Sequence, residues 1–315
     1  MRFLVLGAGA VGGYFGGRML EAGCDVTFLV RPGRSEKLAK HGLAITSPAG
    51  DVHLDAPPTR QAPELKETFD VILVSCKAYD LDDAIESFAP AVGPRTIIVP
   101  LLNGMGHLEK LDERFGVERV AGGSCFISAR ITEPSGVAHL SKAHRIALGH
   151  RQENQEHIVD AIAEELRRAK FETQRSGDIL LTMWEKWSFL ATLAGTTCLM
   201  RASIGDIIAA GGLDFIEAMA EECRQIAEDN GFAPRGENWE WTMSHLTDPH
   251  SLMTASMLDD VESDGRTEAD HILGDLLHRQ SPSHPASLLK LAYMGVTASD
   301  RRKRRHLDEA GAKHK

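Results

Sequence analysis

A glycine run at the start of the chain limits the possible folds more than any other feature. It stands directly after the apolar run Phe3–Leu6 and directly before a helical pattern. In a G-x-G-x-x-G turn the first glycine permits the sharp bend from strand to helix, the second lets the backbone approach a pyrophosphate, and the third lets helix and strand pack closely. The helix start adds free N–H groups and the positive end of its dipole. The residues predicted to bind a dinucleotide here are Gly7, Ala8, Gly9, Ala10, Val11 and Gly12.

Three further apolar runs indicate the fold class of the first half. They are nearly continuous, as parallel strands covered on both faces require, and helical patterns separate them. We therefore predict an α/β fold with a doubly wound Rossmann domain over residues 1–175. Two looser segments, Ala44–Leu54 and Val137–Gly149, are interpreted as hairpin-like pieces at the edge of its sheet. The three runs are Val26–Val30, Val71–Val74 and Thr96–Val99.

The second half lacks a strand signal, and helical periodicity replaces it. This predicts a second, all-helical domain over residues 176–300, without a Gly/Ser-rich or Pro-rich linker before it. Residues 301–315 contain a basic run followed by small residues, and we interpret them as a flexible, solvated tail. The predicted helices are Ile179–Met200, Leu213–Asn230, Ser251–Glu262 and Thr267–Gln280.

Composition excludes several classes of protein. A formal net charge of −10 opposes binding to nucleic acid, which needs a basic surface. The five cysteines are widely spaced and contain no C-x-x-C pair, so neither a disulfide framework nor a zinc site is predicted. No run reaches the roughly 18 apolar residues that a transmembrane helix needs. We therefore expect a cytoplasmic protein with no membrane span and no bound metal.

Arg31, at the end of the second predicted strand, indicates which dinucleotide binds. NAD sites commonly place Asp or Glu there to accept a hydrogen bond from the ribose 2′-OH. An arginine instead matches a 2′-phosphate, which favours NADPH, and Arg34 follows closely. The alternative is that Arg31 only caps a surface turn before Pro32.

Lys77 and Asn103 come at the carboxyl ends of two later strands, where ligands bind in open α/β sheets. Alone, Lys77 could be a surface lysine whose stem covers apolar atoms, and Asn103 with Gly104 could be an ordinary turn. Their shared position beside the predicted nicotinamide end favours a role in binding.

Lys186 lies on an apolar stripe of a predicted helix, with Met183 three residues before it and Leu190 four residues after it. A buried ammonium costs free energy unless a partner or a function compensates. The alternative is a lysine whose stem covers the stripe while its head reaches water. A carboxylate is the natural partner, and Glu268 offers one where another helix begins, although it could simply complement the helix dipole.

Over nearly its full length the chain resembles the ketopantoate reductase (2-dehydropantoate 2-reductase) family. The resemblance implies a Rossmann domain joined to a helical domain, and NADPH-dependent reduction of ketopantoate to pantoate in pantothenate biosynthesis. It implies that Lys186 is the general acid, that Glu268 orients it and that Ser256 helps to bind the substrate. It also implies that Arg31 holds the 2′-phosphate, and that Lys77 and Asn103 line the cofactor and substrate site. The matching residues are the glycine turn, Arg31, Lys77, Asn103-Gly104, Trp184-x-Lys186, Ser256-Met257-Leu258-x-Asp260 and Arg266-x-Glu268.

The chain departs from the family at three positions that typically carry asparagine. Leu190 and Ala194 stand four and eight residues after Lys186, and Met253 stands three before Ser256. These apolar residues predict a pocket less polar than ketopantoate requires. Our leading hypothesis is an NADPH-dependent reductase of a small 2-keto acid. The alternatives are a non-catalytic NADP(H) sensor and a dehydrogenase that oxidises a less polar hydroxy acid. The apolar helices of the second domain are compatible with a homodimer.

Overall fold

The computed structural model describes residues 1–312, with side chains up to Arg305. Its described part divides into two compact units. The first contains Met1–Leu102 and His107–Thr182, and the second contains Asn103–Gly106 and the chain from Met183 onward.

Two sheets make up the framework of the first unit. One is a parallel five-stranded sheet of order β5-β2-β1-β6-β7. The strand order reverses between β1 and β6, which confirms the predicted doubly wound domain and marks the point where such sheets bind ligands. The strands of the unit are β1 (Arg2–Leu6), β2 (Asp25–Leu29), β3 (Leu43–Thr46), β4 (Val52–Leu54), β5 (Thr59–Arg60), β6 (Phe69–Val74), β7 (Val92–Pro100), β8 (Gly122–Thr132), β9 (Gly136–Gly149) and β10 (Glu172–Arg175).

The second sheet corrects the sequence interpretation of two segments. Ala44–Leu54 and Val137–Gly149 were expected at the edge of the parallel sheet, and that placement is wrong. They belong to a separate sheet of order β10-β9-β3-β4, in which β8 pairs with β9 as a long antiparallel hairpin. Their hairpin character is confirmed, because β3 and β4 also pair antiparallel.

The first helix of the unit lies between the two sheets, and adjacent glycines explain how. A Cβ atom on Gly16 would come within 2.6 Å of Phe28 on β2, and one on Gly17 within 2.6 Å of Ile45 on β3. The helix therefore approaches both sheets at distances that only glycine permits. The helices of this part of the chain are α1 (Ala10–Glu21), α2 (Pro32–His41), α3 (Leu81–Phe88), α4 (Gly106–Phe115) and α5 (Glu156–Arg167).

The helical second half is confirmed, with changed boundaries. The predicted helix at Ser251 begins only at Ser256, because the preceding backbone bonds to the start of another helix: Gly205 donates its N–H to the Ser251 carbonyl at 2.7 Å. The predicted helix from Thr267 to Gln280 begins with a π-helical turn at Asp270–Gly274. The helices are α6 (Ile179–Met200), α7 (Ile204–Ala209), α8 (Leu213–Asp229), α9 (Gly236–Leu246), α10 (Ser256–Glu262), α11 (Asp275–His278) and α12 (Leu288–Ala312).

The basic run expected in a flexible tail instead lies in α12, which continues to Ala312. Lys303 is held there, because its ammonium donates to the Val261 carbonyl at 2.8 Å. The last three residues of the predicted tail fall outside the described residues. Among residues 1–312, none of the helices combines the length and the apolar character needed to cross a membrane.

Candidate active site

The glycine turn joins β1 to α1 at the carboxyl edge of the parallel sheet. Gly7 adopts φ +85°, a left-handed conformation that glycine accepts without strain. Its N–H donates to the Leu29 carbonyl at 2.9 Å, which ties the turn to the end of β2. Gly9 is the N-cap of α1, so the first N–H groups of the helix point toward the turn without acceptors of their own in the helix.

The three glycines have different surroundings. A Cβ atom on Gly12 would come within 2.2 Å of the Gly7 carbonyl oxygen and 2.3 Å of Ser75 Oγ, so this position requires glycine for packing. Cβ atoms on Gly7 or Gly9 would meet nothing within 4 Å. The open space lies beside the free N–H groups of α1, which fits a pyrophosphate. The residues present are therefore suited to a nicotinamide dinucleotide.

Arg31 follows β2 and is the N-cap of α2. It is 74% exposed and lies 3.4 Å from the Asp80 carboxylate, which is 33% exposed. Arg34 is directed elsewhere, because its guanidinium donates to the Ser135 carbonyl at 2.9 Å. Burial lowers the pKa of that guanidinium. Of the two arginines considered from the sequence, Arg31 is the exposed one and Arg34 is bonded within the unit.

Lys77 stands where the sequence analysis expected it, in the segment that follows β6. Its backbone caps a short 3₁₀ turn at Ala78–Asp80. Two residues earlier, Ser75 Oγ donates to the Leu6 carbonyl at 2.8 Å and so joins the ends of β6 and β1. The segment that carries Lys77 thus starts beside the glycine turn.

Lys186 and Asn103 come together in the second unit. The Lys186 ammonium donates to the side-chain oxygen Oδ1 of Asn103 at 3.0 Å. Lys186 is half-buried on α6, whose neighbouring residues Glu185 and Trp187 are buried. This hydrogen bond helps to fix the position of the ammonium on α6.

The backbone after Asn103 packs directly on the π-helical turn. Gly104 adopts φ +74°, and a Cβ there would come within 2.8 Å of the His271 carbonyl oxygen and 3.2 Å of its ring. Gly104 is therefore required for two reasons, its left-handed backbone conformation and this close approach to His271. π-Helical turns occur frequently at functional sites. His271 was not identified from the sequence.

Glu268 lies just before the π-helical turn and is 8% exposed. Its backbone carbonyl accepts the N–H groups of His271 and Ile272 at 3.0 and 2.9 Å. The turn is fixed to α6, because Trp187 Nε1 donates to the Ile272 carbonyl at 2.9 Å. The segment that carries Glu268 therefore packs beside the part of α6 that carries Lys186.

Ser256 is the first residue of α10 and is exposed. The residue before it, Ala255, donates its N–H to Thr197 Oγ1 at 3.3 Å, which fixes the start of α10 near the carboxyl-terminal half of α6. Ala194 is buried on the intervening part of α6, and Leu190 is half-buried. Leu190 and Ala194 therefore give α6, the helix that carries Lys186, aliphatic side chains that cannot form hydrogen bonds.

The structure adds an ion pair that the sequence analysis missed. Arg235 donates its backbone N–H and its Nε to Glu185 Oε1, at 2.9 and 2.8 Å, and its Nη2 to Oε2. The Glu185 side chain is 1% exposed and that of Arg235 is 50% exposed. The pair joins α6, next to Lys186, to the start of α9. A signal was available, because Leu181 and Phe189 flank Glu185 at helical spacing.

Three known proteins resemble the chain over almost all of its length. An uncharacterized oxidoreductase, YkpB of Bacillus subtilis, is 36% identical over 94% of this chain and 98% of that protein. The crystal structure of 2-dehydropantoate 2-reductase from Geobacter metallireducens matches with TM-score 0.87 and 26% identity over 95% of this chain and all of the other. A ternary structure of D-mandelate dehydrogenase shares the fold, with TM-score 0.87 and 19% identity over 96% of this chain and all of the other.

Two family models match successive parts of the sequence. The model of ketopantoate reductase PanE/ApbA covers residues 3–153. The model of the carboxyl-terminal part of the same reductase covers residues 178–280. Together with the glycine turn, the strand order and the helical second unit, these matches show that the chain is an oxidoreductase of the ketopantoate reductase family.

Proposed function

We propose that the protein reduces a small 2-keto acid with NADPH, converting ketopantoate or a close analogue to the 2-hydroxy acid, with Lys186 as the general acid. The observation that carries the proposal is the hydrogen bond from the Lys186 ammonium to Asn103, 3.0 Å long. Asn103 follows β7 after two residues, and β7 belongs to the sheet whose β1 leads into the glycine turn. The proposed acid is thus bonded to a residue that follows, along the chain, the carboxyl end of a strand of that sheet, the end at which ligands bind in this fold.

The residues that would hold the dinucleotide are the glycine turn for the pyrophosphate and Arg31 for the 2′-phosphate, with Lys77 and Asn103 toward the nicotinamide. Bound there, reduced dinucleotide supplies hydride to the keto carbon of the substrate. Lys186 stabilises the negative charge that then develops on the keto oxygen and donates a proton to it, which leaves a neutral amine and a hydroxy acid. Asn103 orients the ammonium, Glu268 favours its protonated form, and Ser256 contributes to substrate binding.

Steady-state oxidation of NADPH with ketopantoate and a panel of branched and aromatic 2-keto acids tests this function. We expect turnover with at least one of them. Lys186→Ala should lower kcat by about 10²–10⁴-fold, the usual contribution of a general acid, while the Kd for NADPH changes less than about twofold. The matched control is Lys290→Ala, which removes an exposed lysine of α12. Full activity in Lys186→Ala would remove the lysine from the mechanism.

A second candidate is a hydroxy-acid dehydrogenase with a less polar substrate. Leu190 and Ala194 support it, because they follow Lys186 on α6 and carry no hydrogen-bonding side-chain atoms. The similar D-mandelate dehydrogenase was captured with NADH and anilino(oxo)acetate, a carboxylate whose neighbouring oxo carbon carries an aromatic anilino group. A kcat/KM at least about tenfold higher for an aromatic 2-keto acid than for ketopantoate would favour this candidate. Dinucleotide binding without turnover of any substrate would instead favour a sensor.

We also propose a homodimer in solution. Leu291 and Met294 on α12 are 51% and 54% exposed, which is a large exposure for apolar side chains. Light scattering of the purified protein tests the proposal, and a monomeric mass at all concentrations contradicts it.

A further inference from the structure

The ion pair between Arg31 and Asp80 spans the end of the central strand. Arg31 follows β2, Asp80 belongs to the segment after β6, and β1 lies between these two strands. Neighbouring strands are about 5 Å apart, so the two side chains converge across about 10 Å over the end of β1. The glycine turn begins at that end. The pair, 3.4 Å apart, therefore lies at the mouth of the proposed dinucleotide site.

Arg31 has two possible anionic partners at this place. The 2′-phosphate of NADPH would need the Arg31 guanidinium, part of which is already paired with the Asp80 carboxylate. Arg34 cannot replace it in the present arrangement, because its guanidinium donates to the Ser135 carbonyl. Binding of NADPH must therefore draw Arg31 away from Asp80 and bring a phosphate near a carboxylate. That repulsion weakens the binding of NADPH.

Asp80 also supplies what an NADH site requires. NAD-binding folds usually place an acidic residue at the end of the second strand, where it accepts a hydrogen bond from the ribose 2′-OH. Here that position is Arg31, and the acidic group reaches the same place from the segment after β6. With NADH, the carboxylate can accept the hydroxyl hydrogen while Arg31 remains paired.

We infer that Asp80 determines dinucleotide specificity and allows the protein to use NADH as well as NADPH. This inference rests on the proposed function and specifies which dinucleotides the proposed site accepts. Arg31 pairs with Asp80 when NADH is bound and with the 2′-phosphate when NADPH is bound. The exposure of Arg31, 74%, gives its side chain the freedom to make both pairs.

The test is the Kd of each dinucleotide for the full-length protein, measured by the fluorescence of the reduced nicotinamide. For the wild type we expect NADH to bind no more than about tenfold more weakly than NADPH. Asp80→Asn should raise the ratio of the two Kd values about tenfold, because it removes one charge near a doubly charged phosphate. This rise should shrink as salt increases, since the site is exposed.

Two further variants control the result. Asp82→Asn removes a nearby exposed carboxylate that pairs with Lys110 instead, and the Kd ratio should stay within about twofold of the wild type. Arg31→Ala should weaken NADPH about tenfold or more and leave NADH nearly unchanged, because only the phosphate needs the guanidinium. This variant tests the site without altering Asp80.

The outcomes separate the inference from the proposed function. A Kd ratio in Asp80→Asn within about twofold of the wild type overturns the inference, as does a wild type that binds NADPH more than about 1,000-fold better than NADH. If both dinucleotides bind but no 2-keto acid is reduced, the proposed function fails and the Kd ratio still decides the role of Asp80. If neither dinucleotide binds, both are wrong.

Discussion

Asn103 holds the Lys186 ammonium through one neutral acceptor atom. The full rotamer freedom of a lysine is worth about 1.5–2 kcal/mol, and loss of this bond restores at most that amount. We therefore predict that Asn103→Ala lowers kcat by up to about 30-fold, because the ammonium is less often in position. Asn103→Asp keeps an oxygen acceptor and should retain more activity than Asn103→Ala. Steady-state kinetics of the three proteins measures this, and equal kcat values in Asn103→Ala and wild type would contradict it.

Individual candidate residues could be identified from the sequence, but their pairing could not. Lys186 was recognised from apolar neighbours at helical spacing, and Asn103 from its position after a strand. Periodicity describes only neighbours within one element, so it cannot show that two residues 83 positions apart share a hydrogen bond. Asp80 was missed for the same reason, because its pairing with Arg31 depends on the strand order.

Within the strand-turn-helix element, the surroundings of the glycines predict opposite phenotypes for two substitutions. Gly12→Ala should cost about 1–3 kcal/mol of stability, since its Cβ would collide with the Gly7 carbonyl at 2.2 Å and backbone cannot easily move. Gly9→Ala should cost less than about 1 kcal/mol, the usual penalty for alanine at an N-cap. Gly9→Ala should nevertheless weaken dinucleotide binding, because the Cβ of the new alanine enters the space proposed for the pyrophosphate.

Urea unfolding and dinucleotide titration of both glycine variants separate these effects. The expected pattern is a destabilised Gly12→Ala and a stable Gly9→Ala with a raised Kd. A Gly9→Ala protein that binds NADPH and NADH as tightly as the wild type would show that the pyrophosphate lies elsewhere.

The ion pair that joins α6 to α9 predicts an asymmetry between its two partners. Arg235→Ala leaves the Glu185 carboxylate buried without its guanidinium, and such uncompensated charges cost about 3–5 kcal/mol. Glu185→Ala leaves a guanidinium that is 50% exposed and can be hydrated, so we expect a loss nearer about 1–3 kcal/mol. Urea unfolding followed by circular dichroism measures both. A larger loss in Glu185→Ala than in Arg235→Ala would contradict this reasoning.

Elements with a strong local signal were predicted well, and those defined by distant partners were not. The four apolar runs are strands, and α6 spans Ile179–Met200 as predicted. The second sheet was misplaced because β3 and β9, which pair in parallel, lie far apart in the sequence. The segment from Ser251 was predicted helical because its apolar spacing is helical, yet its backbone hydrogen bonds go to α7.

At the scale of the whole molecule, the change from strands to helices marks the sequence boundary at residue 175, where β10 ends. The compact units instead divide after Thr182, inside α6. The first turn of α6 packs on the first unit, because Ile179 contacts the positions of Gly122 and Gly149 so closely that a Cβ on either would come within 2.5 Å of it. Local periodicity cannot reveal which unit a helical turn packs against.

The stability of the molecule should depend on pH through two histidines between α1 and the second sheet. His144 Nδ1 bonds to Tyr14 OH at 2.6 Å, and His139 Nδ1 bonds to Ser47 Oγ at 2.8 Å. The two rings stack 5.2 Å apart. Burial, and to a lesser degree the positive charge of Arg18, lower the pKa of both rings below the usual 6.5. Both are therefore neutral in the folded state at pH 7.

The sign of the pH effect follows from where protons bind. Below about pH 6.5 both histidines take up protons in the unfolded chain, whereas their lowered pKa values disfavour protonation in the folded chain. The free energy of unfolding therefore falls as the pH falls. Carboxylates with lowered pKa values, such as Glu21, change the free energy of unfolding only below about their usual pKa of 4.5, which lies outside this pH range.

We predict that urea unfolding gives higher stability at about pH 7.5 than at about pH 5.5. The double variant with His139→Asn and His144→Asn should show a smaller difference between the two pH values. His250→Asn, at an exposed position, is the matched control and should keep the slope of the wild type. An unchanged slope in the double variant would assign the pH dependence to other groups.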